Sequence, residues 1–239
     1  MSKQLRSKLL RAFREGVKEF QLITPSDVIL IGLSGGKDSL ALLDLMGDML
    51  RRSNKGFTLH ALHVRMAGVD YQSDTNYLRE QCARNGITYH ERLIEFETDR
   101  NEKRTPCFLC SWNRRKTLFE VAQELGCNKI ALGHHQDDIL HTALMNLSYA
   151  GSFSTMPCLL RMHKMPLTII RPLCKVKEDL LKEWAIASEY QPLIKHCPHE
   201  RASKRSEIAL LFNVLESQNP EFRNNLWHAL LIEEKLVEK

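Results

Sequence analysis

Three short stretches of the chain hold residues whose types and spacing could do chemistry. The first, Ser34-Gly35-Gly36-Lys37-Asp38-Ser39, follows the apolar run Val28 to Leu33 and precedes an apolar-periodic stretch. Adjacent glycines let backbone N–H groups come close to an anion, and a helix starting there turns its positive dipole end to the same spot. Lys37 adds a cation, Ser34 and Ser39 add hydroxyl donors, and Asp38 offers a hard oxygen ligand for Mg²⁺. Such a turn suits pyrophosphate. It is not a Walker A loop, because Ile31 stands where that loop needs glycine and Lys37 is followed by Asp38 rather than Ser or Thr. The plain alternative is a glycine turn between strand and helix with a capping aspartate.

The second stretch, Gly133-His134-His135-Gln136-Asp137-Asp138, also ends an apolar run and opens a helical pattern. It gathers titratable side chains suited to proton transfer or substrate activation. Asp138, Thr142 and Asn146 are spaced by four and share one helix face. A capping Asp with core-facing histidines is the bland alternative. The third is Cys107-Phe108-Leu109-Cys110, followed by Arg114 and Arg115, with Cys197 far downstream in His196-Cys197-Pro198-His199. A Cys-x-x-Cys pair serves as a redox disulfide, half of a zinc site, two ligands of an iron–sulfur cluster, or core filling, and its spacing does not choose. Three thiolates suit a [4Fe–4S] cluster with one open iron, whereas adding His196 or His199 closes a tetrahedral zinc site. Cys82, Cys127, Cys158 and Cys174 lie among apolar neighbours, where a thiol behaves as a small hydrophobe.

The elements that must position these residues can be read from periodicity. Leu5, Leu9, Phe13, Val17 and Phe20 mark an amphipathic helix over 3–22. Strands are expected at Val28–Leu33, Phe57–Val64, Ile87–Phe96, Asn128–Gly133 and Leu167–Leu173. Helices are expected over Asp38–Arg52, from a Ser73 cap to Gly86, before Gly126, from Gln136, and over Lys177–Glu189. Alternating strands and helices imply right-handed crossovers and an α/β, doubly wound, five-stranded parallel sheet. Ligands bind such sheets beyond the carboxyl ends of the strands, where both the Ser34–Ser39 and the Gly133–Asp138 stretches fall. Helices over 201–217 and 221–237 are expected to form a C-terminal extension. The reading is therefore a domain over 1–190 with its N-terminal helix, and a helical extension over 191–239.

Bulk composition narrows the classes. Hydrophobic residues make up 43% and charged residues 26% of 239, which excludes a disordered chain. No run approaches the ~20 apolar residues a membrane span needs, and Arg6, Lys8, Arg11 and Arg14 interrupt any secretory segment, so a cytoplasmic location is expected. The net charge is +5, and residues 99–116 carry Arg100, Lys103, Arg104, Arg114, Arg115 and Lys116 against Asp99 and Glu102. With Arg201, Lys204 and Arg205, these cations bracket the three polar-loop cysteines and suit an RNA backbone.

The Ser34–Ser39 segment resembles the PP-loop of ATP pyrophosphatases, which adenylate a substrate carbonyl oxygen and release pyrophosphate. The rest is similar to the tRNA 2-thiocytidine synthetase family over roughly residues 1 to 205. The matching segments are Cys107-x-x-Cys110 with Arg114-Arg115, Ala131 through Asp138, Met145-Asn146, Gly151 and Ile170-Arg171-Pro172-Leu173. That resemblance implies ATP at Ser34, Gly35, Gly36, Lys37, Asp38 and Ser39, bordered by Gly133, His134, His135 and Arg171, with Mg²⁺ on Asp38. It implies Asp137 or Asp138, and Arg114, in the chemistry, and a [4Fe–4S] cluster on Cys107, Cys110 and Cys197. The implied reaction adenylates the C2 oxygen of an anticodon-loop cytidine in tRNA and replaces it with sulfur carried on the cluster. The sulfur donor would be a carrier such as a cysteine desulfurase persulfide, and a homodimer is compatible with the family. The family's third cysteine lies in a Pro-Cys-x-x-Cys segment, where this chain has Cys197 alone, with Arg205 eight residues on. Rival readings are 2-thiouridine or lysidine synthesis on tRNA, the latter needing no cysteine triad, and a non-catalytic nucleotide-binding redox sensor.

Overall fold

In a computed structural model, residues 3–52, 56–67, 70–71, 75–95, 106–191, 195–196 and 204–238 are described, with backbone only at 70–71, 106–107 and 195–196. Helix α1 (Lys3–Glu19) leads into β1 (Val28–Gly32), and α2 (Lys37–Arg52) into β2 (Thr58–Met66). After the two-residue β3 (Asp70–Tyr71) come α3 (Thr75–Arg84), β4 (Thr88–Ile94), α4 (Pro106–Glu124), β5 (Lys129–Ala131) and α5 (Gln136–Ala150). The hairpin of β6 (Leu159–Arg161) and β7 (Thr168–Ile170) precedes α6 (Glu178–Ala187). The chain closes with β8 (Lys195–His196), α7 (Lys204–Gln218), α8 (Phe222–Ile232) and β9 (Val237–Glu238).

The main sheet runs β4-β2-β1-β5-β7-β6-β9. Its first five strands are the five expected, all parallel, with Ile31 of β1 registered on Ala61 of β2 and on Ala131 of β5. Ile29, Leu30 and Ile31 are fully buried because β1 is covered on both faces, so it reads as a continuous apolar run rather than an alternation. Ile29 and Ile31 face a core shared with α1, α2, α3, α5 and α6. Leu30 faces the opposite core, closed by Val121 and Ala122 of α4.

The sheet extends beyond the five expected strands. Strand β6 lies antiparallel to β7, and β9 adds parallel to β6. The last helix ends at Ile232, five residues before the expected 237. Glu234 then adopts φ 52, and buried Leu236 accepts the Cys158 N–H at 2.7 Å, which turns the chain into β9. Helices α7 and α8 arise where the extension is expected and pack on α5. The small pair β3–β8, registering Asp70 on His196, was not expected. The Ser73 cap lies outside the described residues. Among the described residues no helix is long and apolar enough to cross a membrane.

Candidate active site

Strand order reverses between β1 and β5, since β2 and β4 continue on one side and β7 on the other. A crevice opens at such a switch point beyond the strand ends. The turn after β1 and the segment after β5 meet there. Gly35 takes φ 82, a left-handed conformation that strongly favours glycine, and its N–H donates to Ser39 Oγ at 3.1 Å. Ser34 Oγ donates to Ser39 Oγ at 3.1 Å and accepts the Gly36 N–H at 3.3 Å, so the turn is braced from within. A Cβ on Gly133 would stand 3.2 Å from the Asp38 carbonyl carbon and the Ser39 nitrogen. The two loops touch because that position has no side chain.

Lys37 opens α2 and donates from Nζ to Asp38 Oδ2 at 3.1 Å and to Glu178 Oε1 at 3.2 Å. Burial acts to lower its pKa, but Asp38 and Glu178 outweigh it and hold the amine protonated more firmly than usual. Asp38 Oδ1 lies 3.1 Å from Lys37 Nζ, yet it is buried and accepts no hydrogen bond. A buried carboxylate oxygen with unused acceptor capacity, beside an anion-cradling turn, fits the donor chemistry of Mg²⁺.

In the second segment the two aspartates are placed differently. Asp137 is buried, and its Oδ1 accepts from Arg223 Nη2 at 2.8 Å while its Oδ2 accepts the Glu178 N–H at 2.7 Å. Burial acts to raise its pKa, but the Arg223 hydrogen bond and charge with the Glu178 N–H hold it below the usual carboxylate range. Both oxygens are thus committed to the protein. Asp138 accepts the His135 N–H at 3.1 Å and lies 3.6 Å from Arg205 Nη1, with a side chain 19% exposed. His135 Nε2 is 3.5 Å from Asp138 Oδ2. Burial, helped by the charge of Arg171, pushes His134 down to about 4, so its ring is neutral near pH 7; its Nδ1 is buried without a hydrogen bond among the described residues. Arg171 is buried and donates to the Pro157 carbonyl, with Arg115 and Asp138 close enough for their charges to act on it.

Cys110 is a free thiol, half-buried on α4, and Arg114 is half-buried one turn on. Cys107 lies in the first turn of the same helix, so Cys107, Cys110 and Arg114 fall on one face by spacing. The Cys107 side chain and the whole of Cys197 lie outside the described side chains, as do Arg100, Lys103, Arg104, His199 and Arg201. The chain just before Cys197 is placed, because β8 pairs with β3 soon after the carboxyl end of β2. The first turn of α4 stands at this same edge, since α4 leads back into the parallel strand β5. Among the described residues no three His, Cys, Asp or Glu side chains gather as a metal site. Cys107 and Cys110, one helical turn apart by spacing, are soft donors of the kind an iron–sulfur group takes. By contrast Cys82, Cys127, Cys158 and Cys174 are all buried, and burial pushes Cys82 up to about 12 and Cys127 up to about 11.

Two residues at the site carried no expectation. Glu178 sits just past the carboxyl end of β7, so the rule that flagged Gly133 could have flagged it. Arg223 joins Asp137 across 86 residues of sequence and has no local signal.

The PP-loop domain family matches residues 1–192. Similar proteins include the tRNA-cytidine(32) 2-sulfurtransferase of Anaeromyxobacter dehalogenans, 33% identical over 95% of this chain and 79% of that one. Its counterpart in Sorangium cellulosum is 36% identical over 95% of this chain and 81% of that one. Among solved structures, the U34-tRNA thiolase NcsA from Methanococcus maripaludis with its [4Fe-4S] cluster superposes with a TM-score of 0.73. It is 25% identical, covering 92% of this chain and 76% of that one.

Proposed function

Because the chain belongs to the PP-loop family, and within it to the tRNA 2-thiocytidine family, we propose that it is an ATP-dependent tRNA sulfurtransferase acting on cytidine 32. The observation that carries this reading is the meeting of Ser34–Ser39 with Gly133–Asp138 at the β1/β5 switch point. One loop supplies an anion cradle, and the other supplies titratable groups a few ångströms away.

The Gly35–Gly36 backbone, the Ser34 and Ser39 hydroxyls and Lys37 hold the β- and γ-phosphates, and Asp38 Oδ1 would hold Mg²⁺, which supplies charge neutralisation when bound. The C2 oxygen of the base attacks the α-phosphorus, forming an O–P bond and breaking the α–β anhydride, so that pyrophosphate leaves. Preorganised N–H and ammonium donors stabilise the charge that builds on that leaving group. Asp137 is committed to Arg223 and α6, so we assign substrate orientation to Asp138, with neutral His134 beside the nucleotide. Sulfur then replaces the activated oxygen at C2 and AMP leaves. Cys107, Cys110 and Cys197 would hold the [4Fe–4S] cluster, which supplies an open Lewis-acidic iron for sulfide. Arg114, one turn from Cys110, faces the same region.

The test is twofold. Pyrophosphate release from ATP should depend on tRNA, and mass spectrometry of nucleosides from treated tRNA should show 2-thiocytidine. Pyrophosphate release without any thiolated nucleoside would sink the reading, and 2-thiouridine would move the substrate to the base named for NcsA.

A further inference from the structure

We propose that the outer face of α1, together with the end of α2, is a second docking surface for the phosphate backbone of the RNA substrate, separate from the active site. The proposal rests on the reading of this protein as a tRNA-modifying enzyme. Helix α1 carries Lys3, Arg6, Lys8, Arg11, Arg14 and Lys18 against Glu15 and Glu19. Six cations less two carboxylates leave +4 of the chain's net +5 on one helix. Four of the six cations share one face, while Lys8 lines a different groove. At 3.6 residues per turn Lys3, Ser7, Arg11, Arg14 and Lys18 fall within an arc of roughly 80° and run for about 22 Å. The opposite side, Leu9, Phe13, Gly16 and Val17, is buried.

The stripe lines an open groove of about 660 Å³ together with Arg6, Glu15 and Arg52, the last at the end of α2. Arg14, Lys18 and Arg52 also line an adjoining groove of about 510 Å³ with Val17, Ile23 and Met49. Little acid offsets this positive face. Asp48 is shared between Arg6 at 2.9 Å and Arg52 at 2.8 Å, and Arg11 meets Glu15 at 2.9 Å in an exposed pair, which is worth little. Glu19 is bound to Lys175. Lys3, Arg14 and Lys18 have no carboxylate in ion-pair range among the described residues. A fold has no need of that arrangement, since like charges along one face repel. A polyanion that releases counterions on binding it does. Structured RNA is read through phosphate and sugar contacts over long surfaces, and tRNA extends well past the base being modified. Arg52 lies fifteen residues along α2 from Lys37, about 22 Å, which places the stripe within reach of an RNA whose loop is at the site.

The experiment measures tRNA affinity against salt for wild type and for Arg11→Gln/Arg14→Gln/Lys18→Gln. All three side chains are exposed, so the fold should survive, and an unchanged Tm would show it. The slope of log affinity against log salt should flatten by about two to three. The ATP KM and the rate at saturating tRNA should not move, and Arg11→Lys/Arg14→Lys should behave as wild type. An unchanged slope would overturn the proposal. An unchanged slope with weakened binding of the sulfur-donor protein would overturn it too, by giving the stripe to a protein partner. Wild-type protein with no tRNA affinity would instead remove the functional reading beneath it.

Discussion

Lys37 stands between Asp38 and Glu178, and Gly133 lets the backbone that carries Lys37 rest against β5, so residue-scale changes here should read out in nucleotide binding. Lys37→Ala and Asp38→Ala are expected to lower thiolation about a hundredfold or more, the usual effect of removing one charge-stabilising donor, with Tm nearly unchanged. Wild-type activity in either variant would overturn the ATP-site assignment. Gly133→Ala places a Cβ 3.2 Å from PP-loop backbone, which can yield only by moving the cradle. The ATP KM should rise about tenfold, the equivalent of ~1.4 kcal/mol. His134 gives a pH prediction. Its folded pKa of about 4 lies below the usual 6.5, so the neutral ring is favoured in the folded state. The stability linked to it is complete above pH 6.5 and is lost as pH falls toward 4, by roughly 3 kcal/mol at most. Denaturation curves at stepped pH should show a smaller loss over that window for His134→Gln, and parallel curves would refute the linkage. The residues of both motifs were legible because each motif is contiguous and sits at a strand end. The position of Glu178 was open to the same strand-end rule, but its pairing with Lys37, 141 residues away, has no local signal.

At the scale of elements, α8 grips the site through Arg223. Its guanidinium donates to Glu216 Oε1 at 2.6 Å and to Asp137 Oδ1 at 2.8 Å, and Asp137 accepts the first N–H of α6, whose Glu178 holds Lys37. Removing Arg223 leaves a buried carboxylate unpaired, which typically costs 3–5 kcal/mol. Arg223→Gln should therefore lower Tm and also raise the ATP KM, because the start of α6 loses its anchor. Leu230→Ala, which cuts a buried side chain from the same helix, should lower Tm without moving KM. Equal KM shifts in both variants would mean that general loosening of α8, not the ion-pair chain, is at work. The inner parallel strands were legible because burial leaves continuous apolar runs, edge strand β4 because its residues alternate, and the crossover helices because they are amphipathic. Strands β3, β8 and β9 are two residues long, too short for a hydrophobic period, and β6 is a short return strand that takes its place by pairing antiparallel with β7.

At the scale of the whole molecule, the cysteine set requires two segments far apart in sequence, Cys107-x-x-Cys110 at the start of α4 and Cys197 after β8, to share one sheet edge. The sequence marked these three as the polar-setting thiols, and the remaining four are buried in the core. What no local pattern could show is that β8 is drawn to β3, since each is two residues long and the pairing spans the chain from Asp70 to His196. If this topology assembles a [4Fe–4S] cluster, anaerobically purified protein should be brown and hold about four iron atoms per chain. Serine at Cys107, Cys110 or Cys197 should bleach it and stop thiolation, while serine at Cys82 or Cys127 should lower Tm and leave iron content and colour intact. An open iron is exposed to oxygen, so aerobic preparation should cost iron and activity together. ATP binding should survive this loss, because the PP-loop cradle takes no ligand from the cysteines. Stoichiometric zinc with full thiolation activity in anaerobic protein would overturn the cluster assignment and make His199 the next ligand to replace.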